Sequence, residues 1–369
     1  MNQEKTAIGP WLFWSLITII CFGFGYINTN TYNVETMGAN GYWAIPLAAV
    51  CTVPGLIAVY FLMKRFPNHN VIQQGTLIMG NFFGRTAGII YLLFLLVYFI
   101  VFTTDVDILV HSYLLDSTPF YILCAIDLII TVYLSTRGIE TISRIASFVI
   151  LPLVTIVFLL FSFIIPEIRI DRLMPIFDFR FNFKSVGGPS ILHIFYPMGL
   201  WALITPYCHG IHQKIPRMTL LAFLVLICLF LVDSIVTIGI YGHTYISQLP
   251  YPSIEAFRTV EISYIFIEQA GLFGVIVLLA STIISSGFSL YAISLGMSQV
   301  LGLWDYKRFV WILTPLIFIT NIHLAHPGFI KSLSHLFAKH GWMVIWGYPI
   351  LLSILAFIFK KKGKTTHGS

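Results

Sequence analysis

Ten long apolar runs, separated by short polar or charged segments, set the pattern of this chain. They lie at about 11–34, 42–63, 86–114, 119–134, 145–165, 189–212, 219–242, 267–296, 309–324 and 341–359. A helix needs about 20 apolar residues to cross a hydrocarbon core roughly 30 Å thick, so the pattern predicts an all-α polytopic membrane protein with ten transmembrane helices. The run VIQQGTLIMGNFFG (71–84) precedes the third span and predicts a short interfacial helix. The third and eighth spans are longer than a bilayer requires, so they should tilt or project beyond it.

Two spans are interrupted. The first reads WLFWSLITIICFGFGYINTNTYNVE, where Gly23-Phe24-Gly25 is followed by Asn28, Thr29, Asn30, Thr31 and Asn33. Glycine tolerates unwound backbone, and hydrocarbon permits unwound backbone only where its polar groups line an enclosed cavity. Alternatively, the glycines only let a neighbouring helix approach closely. The sixth span, opened by Gly187-Gly188-Pro189, carries Pro197 and Gly199 near its middle. Five spans separate the two interruptions, and an odd number per half inverts the second half relative to the first. The expectation is a five-plus-five inverted repeat with broken first and sixth helices and a binding site near the midplane. The whole chain then reads as one transmembrane domain, with repeats at about 11–165 and 189–359 and a basic tail at 360–369.

Composition narrows the class. Hydrophobic residues make up 58% of the chain and charged residues 10%, which excludes an ordinary soluble domain. The net charge of +6 resides in short loops, so it does not indicate a nucleic-acid partner. With both termini in the cytoplasm, 14 of the Lys and Arg residues fall inside and 7 outside, as the positive-inside rule requires. The tail KKKGK should favour anionic membrane lipid. The first apolar run lacks a small-x-small cleavage site and is expected to stay as the first span. The five cysteines lie in apolar segments at no ligand spacing, and the histidines at 323, 326, 335 and 340 form no metal motif, so neither cofactor nor metal is expected. No nucleophile, phosphate-loop or metalloprotease signature points to an enzyme.

The candidate chemistry is therefore sparse. Asp105, Asp127 and Asp233 are intramembrane carboxylates, and no span carries Lys or Arg to pair with them. Each is a candidate for a proton or cation step or a ligand ammonium, or else a hydrogen bond that ties two helices together. A zwitterionic amino acid suits two broken helices, whose free N–H and C=O groups can take its carboxylate and ammonium. The candidate ligand-binding set is Gly23, Phe24 and Gly25 of the first span, Tyr98 of the third, and Tyr196, Gly199 and Leu200 of the sixth. Thr282, Ser285 and Ser286 of the eighth complete it, although small hydroxyl residues also serve packing.

The segment RGIETISRIASFVILPLV (137–154) resembles the membrane-embedded B subunits of GerA-type nutrient germinant receptors of spore-forming bacteria. RFP at 65–67, STP at 117–119 and DRLMPIFD at 171–178 support the likeness in the same order, over nearly the whole chain. The resemblance implies the amino acid–polyamine–organocation superfamily and its five-plus-five fold. It also implies a receptor that senses a small nutrient, such as an amino acid, in the spore inner membrane, with an A subunit and a lipoprotein C subunit. By position it carries ligand-binding roles onto Gly23, Gly25, Gly199 and the eighth-span hydroxyls. One departure stands out: many members have Glu just after the sixth-span glycine, where this chain has Leu200. Coupling to a proton or cation through that helix lacks its carboxylate here. A free-standing amino-acid permease is the alternative function, and a purely structural subunit a third.

Overall fold

Every regular element of the computed structural model is helical among the described residues, which are 8–176, 189–208, 213–258, 271–303 and 305–361. The first span is two helices, α1 (Pro10–Tyr26) and α2 (Thr29–Met37), joined by a two-residue turn. A 3₁₀ turn (Gly38–Trp43) leads into α3 (Ala44–Arg65). The interfacial helix is α4 (Val71–Met79), opened by a reciprocal cap between Asn70 and Gln73. α5 (Asn81–Tyr113), α6 (Phe120–Arg137) and α7 (Ile139–Ile164) complete the first five spans. Gly80 and Gly138 precede α5 and α7 with φ of +85° and +84°, so the chain turns a corner there that a side chain would oppose.

The second half runs through the sixth span (Pro189–Leu203), α8 (Ile215–Tyr241), a single turn at His243–Ile246, and the short outer helix α9 (Pro252–Arg258). It continues with α10 (Gly271–Leu301), α11 (Tyr306–Leu324), α12 (Pro327–Ile345) and α13 (Gly347–Ile358). Among the described residues, seven helical stretches are long and apolar enough to cross a membrane by length and composition. α1 and the sixth span are apolar but shorter, and α11 completes the ten. Residues 177–188 of the outer segment, 267–270 of the eighth span, and the tail beyond 361 lie outside the described residues.

α1 is the axis of the bundle. It is apolar almost all round and buried from Ser15 to Tyr26, packing on α7, α8, α10 and the sixth span. Apolar side chains point outward elsewhere: Phe148 of α7, Ile129 of α6, Trp311 of α11 and Phe357 of α13 are all exposed. In water such a surface would drive association, whereas in a bilayer it faces lipid.

Both interruptions differ from their expected form. α1 keeps its helical course through Gly23 and Gly25, and the first break comes after them, at Ile27 and Asn28. Close approach explains the glycines. A Cβ on Gly23 would lie 2.7 Å from the Ser281 carbonyl oxygen, and one on Gly25 would lie 2.9 Å from the Phe230 ring and 3.0 Å from the Ile194 carbonyl. The sixth span is wound as a 15-residue 3₁₀ helix that passes through Pro197 and Gly199. It breaks only at Ile204, before a last 3₁₀ turn at Thr205–Tyr207. At about 2.0 Å per residue, 15 residues of 3₁₀ helix extend about 30 Å, the thickness of a hydrocarbon core that the same residues as α-helix would not span. Runs this long are uncommon and mark strained or hinge-like sequence.

Candidate functional site

The face carrying the described chain ends is closed. Ile8 N–H donates to the Tyr207 carbonyl at 3.0 Å, and Thr205 Oγ1 donates to the His69 carbonyl at 3.1 Å. The Asn70 amide donates to Gln299 Oε1 at 2.5 Å and to the Leu203 carbonyl at 3.3 Å. The loop before α4 thus ties the ends of the sixth and eighth spans together. Burial lowers the pKa of His69 in that loop, so its ring is neutral at pH 7.

Toward the opposite face the first break is held by two carboxylates. Asp233 of α8 is fully buried, and Tyr26 Oη, the last residue of α1, donates to its Oδ1 at 2.8 Å. Asn30 of α2 donates to its Oδ2 at 2.7 Å, and Ser253 of α9 to the same atom at 3.0 Å. The Asn30 amide also reaches Ser253 Oγ at 2.8 Å, and Ser234 Oγ donates back to Asn30 Oδ1. One carboxylate therefore joins both sides of the break to α8 and to the outer helix. Asp105 of α5 takes the turn itself: Asn28 Nδ2 donates to its Oδ2 at 2.5 Å, and Tyr251 Oη donates to its Oδ1 at 3.0 Å. Burial, then the charge of Asp105 beside it, raises the pKa of Tyr251, so this hydroxyl remains a donor.

A cavity of about 390 Å³ opens beside this turn. Its walls include Asn28, Thr31 and Tyr32 of the broken span, Asp105 of α5, Tyr251 of the outer loop, and Lys331 and His335 of α12. His335 Nε2 lies 3.5 Å from Glu35 Oε2, so α12 also touches α2 through an ion pair when the ring is charged. The Tyr32 ring packs edge-on to both His193 and His335, with centroids 4.7 Å apart in each case.

The residues expected to bind ligand fall into two groups below this cavity. Phe24 stacks on Tyr98 at 5.6 Å and Phe102 at 3.9 Å, and Tyr98 meets Tyr196 edge-on at 6.5 Å. Tyr98, Phe102 and Asp105 share one face of α5, so the ring stack lies under the carboxylate. Tyr196 Oη donates to the Ala338 carbonyl at 2.8 Å, and a Cβ on Gly199 would lie 2.6 Å from Ile345. The second group is the crossing of α1 and α10. Ser285 Oγ donates to the Ser281 carbonyl at 2.7 Å and lies 3.4 Å from the Ile19 and Ile20 carbonyls, with Gly23 against it. Thr282 Oγ1 donates to the Leu279 carbonyl at 2.9 Å. Ser286 and Leu200 are buried. In the structure the Ser285 and Thr282 hydroxyls bond their own helix backbone, and the glycines seat neighbouring helices. Asp127 lies apart, beside Asp107 at the α5–α6 contact, and each leaves one buried oxygen without a partner among the described residues.

Sequence reasoning did not select Asn28, Thr31, Tyr32, Tyr251, Lys331 or His335 as ligand-binding candidates. The polar run from 28 to 33 inside an apolar span was the available signal. Nothing in the local sequence marked Tyr251 or Lys331, which reach the cavity only through the tertiary fold.

Comparison with known proteins gives a consistent family and fold. Spore germination protein B2 of Bacillus subtilis (strain 168) is 22% identical over 363 residues, covering 95% of each chain. Spore germination protein YndE of the same organism is 21% identical over 344 residues, covering 90% of this chain and 91% of its own. Among solved structures, MhsT in complex with L-phenylalanine superposes with a TM-score of 0.67 at 13% identity, over 98% of this chain and 91% of that one. Mhp1, a nucleobase-cation-symport-1 family transporter in a closed conformation with bromovinylhydantoin bound, gives 0.60 at 17% identity, over 89% and 75%. The fold is thus the five-plus-five inverted repeat with broken first and sixth helices. Residues 7–330 match the spore germination protein family, and the chain belongs to that family as a multi-pass membrane protein with a transporter-like fold.

Proposed function

We propose that this chain is the nutrient-sensing subunit of a germinant receptor in the spore inner membrane. It binds a small nutrient of the amino-acid class in the cavity beside the first-span break. Occupancy is passed to an A subunit and a lipoprotein C subunit. The observation that carries this reading is the cavity itself, whose wall is the turn and first residues of α2, an element otherwise held by side-chain hydrogen bonds to α8 and α9. A ligand on that wall touches the segment where the hydrogen bonds of Asp105 and Asp233 converge. The ring stack of Phe24, Tyr98 and Tyr196 lies about two turns along α5 from Asp105, outside the residues that line the cavity, and Gly23 meets Ser285 at the α1–α10 crossing. The L-phenylalanine held by a protein of similar fold supports a ligand of that size. The single-domain organisation, with repeats at about 11–165 and 189–359, and the cytoplasmic termini follow from the span count and the basic-residue bias.

The test is a panel of amino acids, sugars and nucleosides applied to spores with and without this chain. A nutrient response that disappears with the chain supports the receptor role, and an unchanged response to every nutrient defeats it. The fold likeness to a transporter favours a second reading, a free-standing permease. Uptake of radiolabelled amino acid into proteoliposomes containing this chain alone would establish that reading, and its absence would exclude it for the solutes tried.

A further inference from the structure

The cavity carries two opposite charges that nothing among the described residues neutralises. Both oxygens of Asp105 accept hydrogen bonds from neutral groups, Asn28 and Tyr251, and no Lys or Arg pairs with it among the described residues. Lys331 lines the same cavity from α12 and has no carboxylate partner among the described residues, Asp105 included. The nearby Glu35 and His335 are turned to each other. A third group is also unspent: Thr31 is 3% exposed, lines the cavity, and its hydroxyl has no hydrogen-bond partner among the described residues. A buried hydroxyl without a partner costs stability unless something else supplies one.

We infer that the cavity is a zwitterion site in which Asp105 takes the ligand's ammonium group and Lys331 takes its carboxylate. The inference rests on the nutrient-binding reading above and names the residues that select the ligand class. The chemistry is complementary at each end. Asp105 offers a carboxylate already fixed by two donors, Asn28 and Tyr251. Lys331 offers a flexible ammonium that follows carboxylates at different distances. A neutral sugar or nucleoside would leave both charges unpaired in a partly enclosed site, and an amine without a carboxylate would leave Lys331 unpaired. Lys331 sits on α12, the helix that also contacts α2 through His335, so a ligand spanning the two charges would bridge α5 and α12 across the broken span.

The experiment uses spores with the complete receptor and reads the half-maximal concentration for germination that depends on this chain. The probes are the twenty standard L-amino acids, the decarboxylated amine of each amino acid that acts, D-glucose and inosine. Wild-type spores should respond to at least one amino acid and require at least about tenfold more of its amine. Lys331→Met should raise the half-maximal concentration of the amino acid about 10- to 100-fold and remove its advantage over the amine, while Lys331→Arg retains most of it. Lys331 is exposed, so the subunit should persist at normal level on immunoblots of both variants. A wild-type response to glucose or inosine alone would overturn the zwitterion site and leave the nutrient role intact. An equal shift of amino acid and amine by Lys331→Met would overturn the carboxylate assignment. No chain-dependent response to any probe would overturn the receptor reading and this inference together.

Discussion

Asp233 is the most exacting test of the geometry around the break. Its Oδ1 accepts from Tyr26 and its Oδ2 from Asn30 and Ser253, all within a fully buried cluster. Asp233→Leu removes every acceptor and strands donors on α1 and α2. Each stranded buried donor costs about 1–3 kcal/mol, and a network of this kind is lost as a unit rather than piecemeal. Asp233→Asn should be far milder. Its oxygen can face Asn30 and Ser253 while its amide donates to Tyr26, whose hydroxyl can accept, for a loss of about 1 kcal/mol. A sign reversal sharpens the test. Tyr26→Phe should destabilise the wild type, because it removes a donor from Asp233, yet stabilise Asp233→Leu, where that hydroxyl has no acceptor. Thermal unfolding can be followed by a thiol-reactive dye, since Cys21, Cys124 and Cys208 are buried and Cys51 and Cys228 set the baseline. Equal melting of wild type and Asp233→Leu, or the same sign for Tyr26→Phe in both backgrounds, would refute the arrangement.

Other outcomes follow from single contacts. Gly23→Ala should lower stability by about 1–3 kcal/mol, the usual cost of overpacking, because the added Cβ meets the Ser281 backbone 2.7 Å away; an unchanged melting curve would contradict the α1–α10 contact. Gly25→Val should reduce the amount of subunit in spore membranes in parallel with the nutrient response, since it presses on Phe230 and the Ile194 carbonyl. Normal protein with an altered dose–response would instead place Gly25 on the ligand. For topology, single cysteines at Asn68 and Arg137 in a Cys-free background should be labelled only from the cytoplasmic side, and those at Thr244 and Ser247, both exposed, only from outside. Labelling of Asn68 and Ser247 from the same side would contradict the ten-span count.

The spans were legible because apolar run length is a local property and the bilayer fixes the length required. α4 was legible for a similar reason, its cap and its flanking polar loop being close in sequence. The position of the first break was not. Gly23 and Gly25 looked like the flexible point, yet backbone freedom is used only where packing does not prevent it, and both are wedged against α10 or the sixth span. The turn forms at Asn28 because Asp105, 77 residues away, accepts its amide. The cavity was illegible for the same reason, with walls drawn from α2, α5, the 243–251 loop and α12. The 3₁₀ winding of the sixth span left no mark in its sequence beyond Pro197 and Gly199, which suggested an interruption rather than a tighter helix.

The bonds of Asn30 bear on how the protein is made. Its partners Asp233, Ser234 and Ser253 lie 203 to 223 residues further along the chain. A ribosome adds about 5–20 residues per second, so α2 waits roughly ten seconds or more before any of them exists. Through that interval the Asn30 amide lacks its side-chain acceptors and belongs at the water boundary rather than in lipid. The central helix of the finished bundle is therefore synthesised well before its partners and is among the last to take its final depth. An agent that delays the eighth helix should leave the N-terminal span shallow and open to proteases.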